Sequence, residues 1–91
     1  MAWTIEWSDS ARKQLEKLDR QVARQLVEYV VTRAAPDPRG VGKPLTAQFA
    51  SLWRYRVGDY RVVVSIEDAV LRILVVRIGH RREVYRRGQN R

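Results

Sequence analysis

Cysteine is absent from this 91-residue sequence, and histidine occurs only once. Without cysteine the chain can form no disulfide and has no thiolate chemistry. A metal site would have to rely almost wholly on carboxylates, and no spacing of acidic residues predicts one, so we expect neither a metal nor another cofactor. Prolines are few and 45% of the residues are hydrophobic, which indicates a folded chain rather than a disordered basic one.

Long apolar runs are also missing. The longest, around residues 62–64 and 73–76, are far too short to span a bilayer. The first seven residues, Met-Ala-Trp-Thr-Ile-Glu-Trp, lack the basic and apolar regions of a signal peptide. We therefore expect a cytoplasmic protein with no membrane partner. The length fits one small domain over residues 1–91.

Basic residues outnumber acidic ones, 18 against 10, which gives a formal net charge of +8. This charge favours a nucleic acid, an anionic membrane surface or an acidic protein as partner, and its sign alone does not choose among them. Most of the basic residues are arginines, whose guanidinium fork suits phosphate recognition better than an ammonium group does.

Two alternating segments flank Gly58-Asp59, which predicts a β-hairpin closed by a two-residue turn. Such a turn pairs Arg56 with Arg61. Because side chains alternate along a strand, both lie on one face together with Arg54, and we call this the arginine face. Like charges at opposed positions destabilise a sheet by roughly tenths of a kcal/mol. Broken local rules point to functional sites, so we expect an anion to bind this face.

The N-terminal part of the chain predicts an αα-hairpin after one strand. Residues 3–7 alternate apolar and polar side chains, as a strand does. The Ser-Asp-Ser cluster at residues 8–10 is typical of a helix start, and Asp19 is a second N-cap candidate. The second helix has a wide apolar stripe and should end near residues 33–35, because Pro36 cannot continue it.

The C-terminal part predicts a loop and a buried strand around the hairpin. Residues 36–51 are rich in proline and glycine and form the loop, with Leu45 and Phe49 as its anchors to the core. Asp68-Ala69 predicts a second two-residue turn. Residues 70–78 are apolar at almost every position, as in a central strand buried on both faces.

The register of that second turn places Val76 opposite Arg61, and it puts Ile78 and His80 on the arginine face. Together these elements predict an α+β fold, with a small antiparallel-rich sheet and the N-terminal αα-hairpin packed on one face. The other face of the sheet is then open and cationic, which is typical of a binding surface.

Converging arginines suggest a specific chemistry. Several guanidiniums can hold one phosphate and neutralise the charge that develops on it during phosphoryl transfer. RNA carries its own nucleophile, the 2′-hydroxyl, so its cleavage needs positioning, an acid, a base and charge stabilisation but no metal. A sequence without metal ligands is consistent with this reaction.

Three segments together resemble a known family: Gly-Lys-Pro-Leu at 42–45, Gly-Asp-Tyr-Arg at 58–61 and Ile-Gly-His-Arg-Arg-Glu-Val-Tyr at 78–85. At these residues the chain resembles the RelE toxins of the RelE/ParE superfamily of type II toxin–antitoxin systems. The resemblance extends over almost the whole chain. It implies the same fold, metal-independent cleavage of messenger RNA in the ribosomal A site with inhibition of translation, and a cognate antitoxin whose acidic segment wraps the toxin.

The resemblance also implies the positions of the catalytic site. The family's two basic residues in a Tyr-Lys-x-Lys-like strand match Arg54 and Arg56. Its arginine in a Gly-Tyr-Arg-like segment matches Arg61. An arginine two places after the late glycine matches Arg81, and the near-terminal tyrosine matches Tyr85.

The chain departs from the best-known RelE pattern, which has lysines at the positions of Arg54, Arg56 and His80 and a slightly longer segment before the tyrosine. A guanidinium stays protonated and is a poor general base. Our hypothesis is therefore that His80 transfers protons, because an imidazole titrates near neutral pH. The four arginines would bind the scissile phosphate, and Tyr85 would stack on a base or orient the hydroxyl.

Two other functions remain open. A ParE-like toxin has the same fold but inhibits DNA gyrase and cleaves no RNA; such relatives generally lack the full set of basic residues and the tyrosine. The second is a non-catalytic basic module that binds nucleic acid through phosphate contacts alone. The predicted sheet face lacks the exposed aromatics of an RNA-stacking platform, which disfavours the module.

Overall fold

The computed structural model describes residues 3–45 and 52–80. The strands and helices follow one another as β1 (Thr4–Trp7), α1 (Asp9–Lys17), α2 (Arg20–Tyr29), β2 (Lys43–Pro44), β3 (Leu52–Val57), β4 (Tyr60–Glu67) and β5 (Arg72–His80). The five strands form one sheet in the order β1-β5-β4-β3-β2, in which β1 runs parallel to β5 and the other pairs are antiparallel. The predicted α+β fold class is confirmed.

Both helices pack on one face of the sheet, where they enclose the core. Tyr55, Val62 and Val64 from the hairpin are fully buried there, together with Leu26 and Val30 from the second helix and its extension. The opposite face of the sheet carries the alternate residues of each strand. None of the helices in the part of the chain that the structure describes is long and apolar enough to cross a membrane.

The helix starts lie at the predicted N-caps. The Ser8 hydroxyl accepts a hydrogen bond from the Ala11 amide at 3.0 Å, and the Asp19 carboxylate accepts one from the Gln21 amide at 3.0 Å. Beyond α2 the helix continues as a π-helical turn over Val30–Ala34 and stops at Ala35, within the predicted limits. The proline that follows explains this end.

The β3–β4 hairpin has the predicted register. Arg56 is directly opposite Arg61, and Val57 is opposite Tyr60 across the turn. Gly58 occupies the turn with a φ of 61°, a left-handed conformation that favours glycine. Arg54, Arg56 and Arg61 therefore lie on the face away from the helices.

The predicted register of β5 is wrong. The second turn is a 3₁₀ turn over Asp68–Val70 followed by Leu71 in the left-handed region, so β4 and β5 first pair at Glu67 and Arg72. The longer turn shifts the register by two residues, which leaves each side chain on its predicted face.

A bulge in the pairing then adds a third residue to the shift and reverses the faces. Val64 pairs with Val75, whereas Val63 pairs with Arg77, so Val76 is the extra residue. As a result Gly79 lies opposite Arg61, where Val76 was predicted. Ile78 and His80 lie on the helix side of the sheet instead of the arginine face.

The predicted loop over residues 36–51 contains a short strand that the sequence did not indicate. Lys43 of β2 pairs with Arg54, and the Trp53 indole donates a hydrogen bond to the Val41 carbonyl at 2.9 Å. The Leu45 amide donates to the Leu52 carbonyl at 3.2 Å. The other predicted anchor, Phe49, lies outside the described residues.

Candidate functional site

One half of the arginine face carries five basic side chains of the described residues, in two rows that cross the strands. The first basic row consists of Arg56 and Arg61, with Gly79 next to them on β5. The second basic row consists of Lys43, Arg54 and Arg77, with Val63 between the two arginines. The three predicted arginines of the hairpin are therefore together on one face, as expected.

These five residues differ in exposure. Arg61 is buried, with 5% of its surface exposed, whereas Arg56 and Lys43 are exposed and Arg54 and Arg77 are half-buried. The burial of Arg61 was not expected from an open face. Within residues 3–45 and 52–80, the other four cations form no ion pair with a carboxylate. Their positive charge is therefore available to an anionic ligand on this part of the sheet.

The opposite end of the same face is neutralised. Arg72 lies near two carboxylates, with its Nε 2.6 Å from Glu67 and one terminal nitrogen 3.5 Å from Glu6. The hydrogen bond and the charge of Glu67 raise the pKa of the Arg72 guanidinium above its ordinary value. The contrast with the two basic rows gives this face a cationic half and a balanced half.

His80 lies on the other side of the sheet from the basic rows. It is opposite Tyr60, and the two rings meet edge to face with centroids 5.2 Å apart. Both rings line a cleft of about 270 Å³ against Gln14, Lys17 and Leu18 of the first helical segment. The prediction that His80 shares the face of the arginines is wrong, because the bulge at Val76 reverses the end of β5.

Side chains near α1 hold this end of β5 in place. The pairing of β1 with β5 stops at Trp7 and Val75. Beyond it, the Ser8 hydroxyl donates to the Val76 carbonyl at 2.9 Å, and the Gln14 side-chain oxygen accepts from the Ile78 amide at 2.7 Å. These two bonds satisfy backbone groups that a longer β1 would have paired, and they fix the strand end that carries Gly79.

The hairpin is supported from the core side by Tyr55. Its ring is fully buried and its hydroxyl donates to the Pro38 carbonyl at 2.9 Å. Burial raises the pKa of the Tyr55 phenol to about 12. Arg39 in the same loop forms a bidentate ion pair with Asp68, with both N–O distances 2.9 Å, which lowers the pKa of the carboxyl. The loop is thus attached to β3 through Tyr55 and to the turn after β4 through Asp68.

The remaining predicted site residues, Arg81 and Tyr85, lie outside the described residues. Conversely, the sequence does not predict Lys43 and Arg77 as site residues. Lys43 falls in the predicted loop, and the predicted register, which lacks the bulge, puts Arg77 on the core side. The Gly-Lys-Pro-Leu segment around Lys43 carries part of the family resemblance but shows no strand pattern.

A mixed sheet with an αα-hairpin on one face and clustered cations on the other is the architecture of a class of small protein toxins. A sequence profile of the family described as ParE toxin of type II toxin-antitoxin system, parDE, matches residues 5–85. The chain belongs to this RelE/ParE family of toxins.

Individual relatives are of the RelE type. Toxin RelG of Mycobacterium tuberculosis is 32% identical over 87 residues, which cover 96% of this chain and 100% of that protein. A chain of the crystal structure of the M. tuberculosis toxin-antitoxin complex RelBE2 matches with a TM-score of 0.83 and 30% identity, over 89% of this chain and 100% of that one. The isolated E. coli RelE toxin shares the fold, with a TM-score of 0.75 and 24% identity over 96% of this chain and 95% of its own. The resemblance to RelE-type toxins is confirmed.

Proposed function

We propose that this chain is an endonuclease that cleaves messenger RNA in the ribosomal A site. The reaction needs no metal, and it inhibits translation. The observation that carries the proposal is the cationic half of the arginine face, where Arg54 and Arg56 have no carboxylate partner among the described residues and lie beside the buried Arg61. Fixed guanidiniums in a partly dry site stabilise phosphate charge better than mobile surface cations do.

In the proposed reaction, the 2′-oxygen of the RNA attacks the adjacent phosphorus and the 5′-oxygen of the next nucleotide leaves. A base removes the proton of the 2′-hydroxyl, and an acid supplies one to the leaving oxygen. Arg56 and Arg61 bind the phosphoryl oxygens, and Arg54, one row away, adds positive charge beside them; together they stabilise the extra negative charge of the transition state. Arg81 and Tyr85, which follow β5 in the sequence, complete the site as the family pattern implies.

The proton transfer is assigned to His80. Its ring lies on the helix side of the sheet, one residue beyond Gly79, so the scissile phosphate has to lie at the end of β5 to reach both His80 and Arg61. General acid–base catalysis typically contributes about 100- to 10,000-fold to a rate. If His80→Ala cleaves ribosome-bound message within a few-fold of the parent rate, His80 does not transfer the protons of the reaction.

The partner that we propose is a cognate antitoxin in the cytoplasm. The related M. tuberculosis chain comes from a toxin-antitoxin complex, and a mutant of E. coli RelE has a known structure in complex with a peptide of the antitoxin RelB. A net charge of +8 favours an antitoxin segment that is acidic. Binding of this segment over the basic rows would block RNA.

Inhibition of DNA gyrase is the second candidate function, because the matching family profile is described by the name ParE. Expression of the toxin with and without its neighbouring antitoxin gene separates the two. Rapid loss of message, cut at defined codons, supports the nuclease. Arrested replication with intact message supports the gyrase inhibitor. Salt-sensitive RNA binding without any cleavage would instead support the non-catalytic module.

A further inference from the structure

We infer that the second basic row, through Lys43 and Arg77 on either side of Arg54, binds the phosphate next to the scissile one. The inference rests on the proposed function, because it assumes that the first basic row holds the scissile phosphate of a single-stranded RNA. It assigns a role to two residues that lie on neither the predicted hairpin site nor the C-terminal segment.

The separation of the rows fits two consecutive phosphates. Arg54 and Arg56 are two residues apart on β3, so the rows are roughly 7 Å apart along the strands. This distance is on the scale of one nucleotide step in an extended single strand. A strand of RNA that runs parallel to β3 therefore meets one row after the other.

The width of the second basic row also fits a phosphate. Lys43 and Arg54 are on neighbouring strands, and Arg77 is two strands beyond Arg54 with Val63 between them. Neighbouring strands are about 5 Å apart, so long side chains from both sides can converge over Val63. The side chain of Val63 is half-buried and apolar, so it has no polar group that would compete with a phosphate for the cations.

The charge arrangement points to a ligand rather than to a merely solvated surface. Lys43 directly opposite Arg54 repeats the unfavourable like-charge pairing of Arg56 with Arg61. Further along the same face, Arg72 is balanced by Glu6 and Glu67, so the sheet does pair its cations where no ligand is proposed. The two adjacent like-charge pairs therefore mark one continuous cationic track that fits an anionic ligand.

Salt dependence of RNA binding tests this inference without requiring cleavage. The probe is a short single-stranded RNA that is 2′-O-methylated throughout, so that it cannot be cut. The slope of log K against log salt concentration is negative, and each lost phosphate contact should reduce its magnitude by about 0.7 for a single strand. We expect this loss in Lys43→Gln and in Arg77→Gln, and we expect Arg77→Lys to keep most of the slope because it keeps the charge.

The matched control is Lys13→Gln, which removes an exposed lysine from α1 on the other side of the sheet. Its slope should equal that of the parent. Thermal unfolding of every variant checks that the fold is intact. If Lys43→Gln and Arg77→Gln behave like Lys13→Gln, or if the parent binds no RNA, the second basic row is not a phosphate site.

Cleavage, measured separately, distinguishes this failure from failure of the proposed function. Slopes of smaller magnitude in both variants, together with a parent protein that never cuts message, would support the phosphate site at the second basic row and reject the nuclease function. Unchanged slopes together with normal cleavage by the parent would reject the phosphate site at the second basic row but would still support the nuclease function.

Discussion

Arg56 and Arg61 face each other across β3 and β4, on the side of the sheet away from the helices. Replacement of Arg56 by Glu converts this like-charge pair into an attractive one. We expect the free energy of unfolding to rise by about a few tenths of a kcal/mol and cleavage to be lost, because the carboxylate repels the phosphate. Urea unfolding and a cleavage assay on the same preparation check both effects. Arg56→Gln is the control. It should also lose activity, but it should be less stable than Arg56→Glu because glutamine forms no ion pair with Arg61.

The Gln14–Ile78 hydrogen bond should hold the end of β5. Gln14→Ala leaves the Ile78 amide without its acceptor and should destabilise the protein by about 1–2 kcal/mol. Hydrogen exchange at the Ile78 amide should become faster in the same variant. Gln14→Glu keeps an acceptor oxygen and should restore the protection, whereas Gln25→Ala, at an exposed position of α2, should change neither quantity. Unchanged exchange in Gln14→Ala would contradict this role.

Two glycines in left-handed conformations offer a matched comparison. Gly58 has a φ of 61° and open space around it, so Gly58→Ala should cost only about 1 kcal/mol of backbone strain. Gly42 has a φ of 80°, and an added Cβ would lie 2.3 Å from the Arg54 carbonyl oxygen. Gly42→Ala should therefore destabilise the protein more and also weaken RNA binding by displacing Arg54. Equal losses of stability would contradict the close packing of the loop on β3.

The buried Tyr55 phenol predicts a loss of stability at alkaline pH. Burial raises its pKa to about 12, while the unfolded chain ionises it near pH 10. The phenol's contribution to stability is complete below pH 10 and is lost as the pH rises through 12. Tyr55→Phe loses the hydrogen bond to Pro38 and should be less stable near neutral pH by about 1 kcal/mol. Its stability should then fall less steeply than that of the parent between pH 10 and 12; parallel curves would contradict the prediction.

Elements fixed by local chemistry were predictable from the sequence. The hairpin register follows from the Gly58 turn and from strict alternation on both sides of it, and the helix starts follow from Ser8 and Asp19. The bulge at Val76 was not predictable, because a hydroxyl from the distant Ser8 holds its carbonyl. One extra residue reverses a strand's faces, so the predicted register puts His80 on the wrong side and leaves Arg77 out of the site.

The short strand β2 could not be inferred for a related reason. Two residues are too few to show alternation, and Lys43 acquires its position only by pairing with Arg54. Part of the candidate site was therefore predictable. The local pattern indicates the hairpin arginines, whereas tertiary pairing brings Lys43 and Arg77 next to them.

Cleavage of ribosome-bound messenger RNA by the purified protein and by Arg61→Ala shows whether the arginine face is a catalytic phosphate site. The control is Arg12→Ala, which removes an exposed arginine from α1 on the helix side. Loss of one preorganised charge-stabilising group typically costs about 100- to 1,000-fold. We expect codon-specific cuts by the parent and by Arg12→Ala, and a loss of that size in Arg61→Ala. Intact message with the parent, or near-parent cleavage by a folded Arg61→Ala, would contradict it.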